Sequence, residues 1–241
     1  MTRKLYLFLI LFTSILLVGF YFTSILNNFW IAHFTHLGIM FIAGLTLIGL
    51  EKGKFPYKEK QSFEINQVIG IVIGIIGLIG VSNLIPVLGS KITGIQMSGF
   101  YKTAELNRIL LVVISLSIFE EILFRRILAQ KIKNTLGFKK AIWISALIFS
   151  IVHIYTDTGL LSAFIAGAIL AYIYLKTNNI YLSIIAHLFY NLTTYFFTPL
   201  FIENFDRINN HTILISTILI GLGLMYGMIS ILNKKPAGNN V

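Results

Sequence analysis

Three short stretches of the chain set reactive side chains inside runs that are otherwise apolar. SIFEEILFRR (117–126) carries Glu120, Glu121, Arg125 and Arg126, FSIVH (149–153) carries Phe149 and His153, and HLFYN (187–191) carries His187 and Asn191. A carboxylate, two imidazoles and a carboxamide are the ingredients of acid–base hydrolysis with stabilisation of an oxyanion. Glu121 and Arg125 stand four residues apart with the acid nearer the N-terminus, the favourable order for a helical ion pair. That pair neutralises its own charge. Glu120 lies about 100° around the helix from Glu121 and is left to face a cavity. His187 and Asn191 share the same spacing, so both project from one helix face toward a common target.

The elements that must carry these groups are transmembrane helices. Of 241 residues, 56% are hydrophobic and only 12% charged, and the mean hydropathy is +0.84. Soluble domains carry about 25% charged residues. A helix needs roughly 20 apolar residues to cross a bilayer. That criterion predicts eight spans, near 5–26, 29–50, 65–87, 107–133, 140–156, 159–175, 179–197 and 212–232. The expected class is therefore an all-α, polytopic transmembrane helix bundle. It is read as one integral-membrane domain over 1–241, with its catalytic core at about 107–197. The alternating ten-residue strands of an outer-membrane barrel are not seen.

Ionisable side chains inside hydrocarbon are costly, and each marks function by default. Their depths agree. Glu120 is 13 residues from Lys133 and His153 is 13 residues beyond Lys140, so both lie roughly 20 Å from the inner helix ends; His187, 11 residues beyond Lys176, lies at about 16 Å. This match requires the fourth helix to continue through ILAQKIK. His33 and His36, near the outer end of the second helix, are expected to be packing or interface residues, and His211 to be solvated.

The net charge of +10 does not point to a nucleic-acid partner, because the charges sort by loop. With a cytoplasmic N-terminus, all of the 19 basic residues except Lys91, Lys102, Arg108 and Arg207 fall on inside segments. This is the positive-inside pattern, and it predicts that both termini are cytoplasmic. The first apolar run follows Arg3 and Lys4 but lacks a small-x-small cleavage pattern, so it is expected to be retained as a helix. Without cysteine there is neither a disulfide nor a thiolate metal ligand. Longer connections are EKGKFPYKEKQSFE (51–64), GSKITGIQMSGFYKTAE (89–105) and FTPLFIENFDRINNH (197–211). Glycines at 70, 74, 77 and 80, and at 223 and 227, have the spacing that lets helix backbones approach closely.

Taken together and in order, EEILFR (120–125), FSIVH (149–153) and HLFYN (187–191) resemble the Glu-Glu-x-x-x-Arg, Phe-x-x-x-His and His-x-x-x-Asn motifs of the CAAX-processing and bacteriocin-processing (CPBP, or Abi) family of intramembrane proteases. The eukaryotic type II CAAX prenyl endopeptidases belong to that family. The resemblance covers about 107–197, and the remaining helices match only in being hydrophobic. It implies that Glu120 is the general base that, with His153, activates a water against a peptide carbonyl. His187 and Asn191 would stabilise the oxyanion, and Glu121, Arg125 and Phe149 would support the site. Members of the family have been described as metalloproteases, and Glu120, His153 and His187 would be the zinc ligands if zinc were bound. With no H-E-x-x-H motif and the three candidates on three helices, a metal-free mechanism without a cofactor is expected.

The expected partners are the lipid bilayer and a hydrophobic peptide or membrane-protein substrate, with no nucleic acid. The expected location is a bacterial cytoplasmic membrane. Two other functions fit intramembrane charges: a non-catalytic bacteriocin-immunity or scaffold protein, and a small ion- or proton-coupled transporter. The transporter predicts an internal repeat, and none is found.

Overall fold

The structure is a computed structural model that describes residues 2–49, 60, 64–94, 106–156, 159–207 and 210–234. Among these residues there is no strand. The helices are α1 (Thr2–Ser24), α2 (Phe29–Ile48), α3 (Ile65–Thr93), α4 (Leu106–Glu120), α5 (Gln130–Leu136), α6 (Phe138–Val152), α7 (Leu160–Thr177), α8 (Ile180–Arg207) and α9 (His211–Asn233). A π-helical segment, Glu121–Ala129, joins α4 to α5 without a break, and a 3-10 turn, His153–Tyr155, ends α6. The described residues thus form eight continuous rods, matching the eight predicted spans. Among the described residues, six helices are long and apolar enough to cross a membrane: Arg3–Ser24, Phe29–Ile48, Ile65–Thr93, Phe138–Tyr155, Leu160–Thr177 and His211–Asn233. The chain is a multi-pass membrane protein.

Helix boundaries follow local chemistry. The Asn28 side chain accepts from Trp30 N at 3.0 Å and Ile31 N at 3.1 Å, satisfying two orphan donors at the start of α2. Asn179 does the same for Tyr181 and Leu182 at the start of α8. Between α5 and α6, Gly137 has φ 89°, a conformation that costs a residue with a Cβ far more than glycine. The long connection expected at 197–211 is mostly helical instead, because α8 continues to Arg207. Apolar residues at 201, 202 and 205 keep the helical spacing through that stretch. Of the segment expected at 89–105, the start belongs to α3, which runs past Pro86 to Thr93; 95–105 and most of 51–64 lie outside the described residues.

The helices group into two compact units. One contains α1, α2, α4, the π segment, α5, α6, α7 and the start of α8 up to Leu188; the other contains α3, the rest of α8, and α9. In lipid, burial of apolar surface between helices gains little over contact with acyl chains, so close packing and polar contacts must hold each unit together. In the second unit, α3 and α9 meet at glycines. A Cβ on Gly221 would come within 2.8 Å of the Gly77 carbonyl oxygen and 2.9 Å of Val81 Cγ2. Gly70, Gly74 and Gly77 serve this contact as the spacing predicted. Gly80, Gly223 and Gly227 do not, since a Cβ on any of them would meet nothing within 4 Å. They fall on helix faces turned away from the contact, and Gly221, outside the predicted set, takes their place.

In the first unit, an aromatic ladder runs through the core. Phe12 meets the edge of Phe124 at 6.0 Å, and Phe124 meets Phe149 at 5.1 Å and 90°. Gly167 of α7 lets α6 approach, because a Cβ there would lie 3.1 Å from the Phe149 ring and 3.2 Å from Ala146 Cα. Basic side chains finish two helices at one end of this unit. Lys131 Nζ donates to the Leu47 carbonyl at 3.2 Å and Lys133 Nζ to the Leu175 carbonyl at 3.5 Å, satisfying orphan carbonyls near the C-termini of α2 and α7.

Candidate active site

Glu120 is the last residue of α4 and Glu121 the first of the π segment. The helix continues beyond Arg126 as the depth argument requires, but not as a regular α-helix. The Gln130 N–H reaches the Arg125 carbonyl, five residues back. Single π turns inside α-helices recur at functional sites, where the extra residue re-aims neighbouring side chains. Here the π segment starts at Glu121, directly after Glu120, and carries Arg125 as well.

Glu121 is fully buried and carries three partners. Arg125 Nη2 lies 3.3 Å from its Oε1, the Ser183 hydroxyl donates to its Oε2, and His187 Nδ1 lies 2.8 Å from its Oε1. Arg125 is fully buried as well, with its guanidinium 4.5 Å from the centre of the Phe149 ring. Stacking on that face offsets part of the loss of water around the cation. Thus the predicted Glu121–Arg125 pair forms, and Phe149 packs against it.

Glu120 is buried but touches the edge of accessible space. Its two oxygens face two imidazoles: Oε1 lies 3.9 Å from His153 Nε2 and Oε2 lies 3.7 Å from His187 Nε2. Both separations exceed hydrogen-bond range. The other nitrogen of each ring is already engaged. His153 Nδ1 sits 2.7 Å from the Phe149 carbonyl, and His187 Nδ1 is on the Glu121 carboxylate. Both partners are acceptors, so both Nδ1 atoms must carry hydrogen, and in the neutral rings the two Nε2 atoms are bare. A carboxylate and two imidazole lone pairs therefore converge with no donor among them. Such a cluster calls for a proton source between its members, and a water molecule supplies two.

The Phe149 ring fixes the relative pose of the imidazoles, at 4.2 Å from His153 and 6.2 Å from His187. Within the first unit, then, Glu120, His153 and His187 come together as the depth argument predicted, Glu121 and Arg125 pair as their spacing predicted, and Phe149, expected from the motif resemblance, lies among them. Asn191 follows His187 by one turn of α8 but belongs to the second unit. Two residues near the site carried no usable signal in the sequence. Ser183 precedes His187 by one turn, and a serine in an apolar helix more often bonds its own backbone. His36, read as a packing residue, does stack on Phe20 at 3.7 Å and 15°, yet it also stands within electrostatic reach of His153. His33 packs as expected, bonded to Ser115 at 3.1 Å. Among the described residues, no group of three or more His, Asp or Glu side chains is disposed to hold a metal ion.

No curated protein and no solved structure matches the chain. A family model does match the part of the chain that supplies α4 through the first half of α8. Residues 102–193 are similar to the family described as Type II CAAX prenyl endopeptidase Rce1-like, a protease family consistent with the CPBP motifs at Glu120–Arg125, Phe149–His153 and His187–Asn191.

Proposed function

We propose that the protein is an intramembrane endopeptidase that hydrolyses a peptide bond in a hydrophobic or membrane-associated peptide. The observation that carries this reading is the convergence of Glu120 with two bare Nε2 atoms, a set of acceptors that a nucleophilic water would satisfy. In this mechanism a water seated beside Glu120 and His153 gives up a proton to Glu120 as its oxygen attacks the scissile carbonyl. The carbonyl π bond opens onto oxygen, and the resulting oxyanion is stabilised by His187 in the form that carries a proton on Nε2. When the C–N bond breaks, Glu120 returns the proton to the leaving amine, which departs neutral, and the new acid remains on the acyl fragment. Glu121 and Arg125 support the site, and Phe149 holds the rings in place. No metal takes part. The protein works in a bacterial cytoplasmic membrane with both termini inside, and the basic inner face favours a cavity open to the cytoplasm.

The test uses the full chain in lipid vesicles with two quenched fluorescent peptides, a prenylated CaaX peptide and a plain hydrophobic peptide. Glu120→Gln and His153→Ala are each expected to lower cleavage by about 10²–10⁴-fold without loss of expression. Cleavage by the unaltered protein is expected to persist with a chelator present. Unchanged cleavage in the Glu120→Gln variant would overturn the assigned base. Loss with chelator and recovery with zinc would put a metal in its place.

A further inference from the structure

We propose that Ser183 is a positioning residue of this site: with Arg125 it holds the Glu121 carboxylate against His187 Nδ1, so that Nε2 is the atom His187 offers to the substrate. The four side chains are among the most deeply buried polar groups of the chain, with Ser183, Glu121 and Arg125 fully inaccessible and His187 at 3%. Their contacts form one connected path. Arg125 Nη2 meets Glu121 Oε1 at 3.3 Å, Ser183 takes Oε2, and His187 Nδ1 returns to Oε1 at 2.8 Å. Both carboxylate oxygens are thereby engaged, which stops Glu121 from rotating away from the ring.

The role follows from what would happen without it. Ser183 Oγ has one proton and two acceptors in range, the Glu121 carboxylate and the Leu170 carbonyl at 3.4 Å. The carboxylate is the nearer and the charged one, and hydrogen bonds to charged groups are the stronger. A free histidine exchanges between two neutral tautomers, and only one of them leaves Nε2 bare toward Glu120. A carboxylate fixed at Nδ1 selects that tautomer and that ring orientation. The same bond stabilises the second ring proton whenever Nε2 receives one, which is the form able to donate to an oxyanion. Ser183, Glu121 and His187 thus divide the labour as holder, anchor and presented group. Outer groups of this kind commonly govern the performance of a histidine without touching the substrate themselves.

The kinetic part of this inference rests on the peptidase reading, but the tautomer does not. Nitrogen NMR of the ¹⁵N-histidine-labelled protein in detergent, with His187→Gln to assign the signal, is expected to show His187 protonated at Nδ1. Ser183→Ala is expected to bring the other tautomer into exchange and to lower kcat by about tenfold, the scale of one hydrogen bond, while KM changes less than twofold. Ser183→Thr, which keeps the hydroxyl, should restore both. Since Glu121→Gln strands the buried Arg125 and can fail to fold, Ser183 variants are the decisive ones. His187 protonated at Nε2 in the unaltered protein, or a Ser183→Ala variant with the original NMR pattern, would overturn the proposal. Absence of cleavage with the Nδ1 tautomer intact would instead count against the peptidase reading alone.

Discussion

At the scale of single residues, the site depends on a division between two adjacent carboxylates. Glu120 faces two lone pairs across a gap, whereas Glu121 is saturated by Arg125, Ser183 and His187. The saturated acid is structural, and its energetics can be separated from chemistry. Removing one member of a buried pair leaves the other charge without compensation, at a cost of about 3–5 kcal/mol, whereas replacing both by apolar groups of similar volume is often neutral. Arg125→Ala should therefore lower the unfolding midpoint in detergent strongly. Glu121→Leu combined with Arg125→Met should recover most of that loss and still cleave poorly, because His187 Nδ1 has lost its acceptor. A double variant as unstable as the single one would show that the pair is not what Arg125→Ala disrupts. Much of this was legible in the sequence: the Glu121–Arg125 spacing predicts the pair, and the shared depth of Glu120, His153 and His187 predicts their meeting. The Glu121–His187 bond was not, because residues 66 positions apart become neighbours only when two helices adopt a particular rotation.

At the scale of elements, hydrophobicity fixes where helices run but not their internal geometry. The runs near 5–26, 29–50 and 212–232 recur as α1, α2 and α9 within a few residues. The π segment Glu121–Ala129 is invisible to the same reasoning, since an inserted turn changes neither composition nor length. Glycine spacing has a similar limit. It marks α3 and α9 as close-packing helices, but which glycines meet depends on their relative rotation. Gly221→Leu should therefore destabilise the protein by about 1–3 kcal/mol or more, because the added side chain meets the Gly77 carbonyl and Val81. Gly223→Leu, with nothing within 4 Å of its Cβ, should leave the unfolding midpoint unchanged. Equal midpoints for the two variants would refute the contact, and the comparison needs only thermal unfolding of the full chain in one detergent.

At the scale of the whole molecule, charge rather than packing sets orientation. Nothing in helix geometry distinguishes a rod from the same rod inverted, so the side on which each loop lies follows from the retention of Lys and Arg on the cytoplasmic face. The basic residues near both ends, Arg3 and Lys4 at one and Lys234 and Lys235 at the other, predict an even number of crossings. This prediction can be tested cleanly because the chain has no cysteine, so a single introduced thiol is the only target for a maleimide. Lys4→Cys and Lys234→Cys should both resist a membrane-impermeant maleimide in intact cells and react in inverted vesicles. Lys91→Cys should do the reverse, because three predicted crossings separate Lys91 from an N-terminus that the charge pattern puts in the cytoplasm. The orientation matters to function: if the termini and Lys131–Lys133 share the cytoplasmic side, the route for water and peptide to Glu120 can be mapped by adding substrate to one face at a time. Labelling of either terminus from outside would invert that map and, with it, the side from which the proposed peptidase meets its substrate.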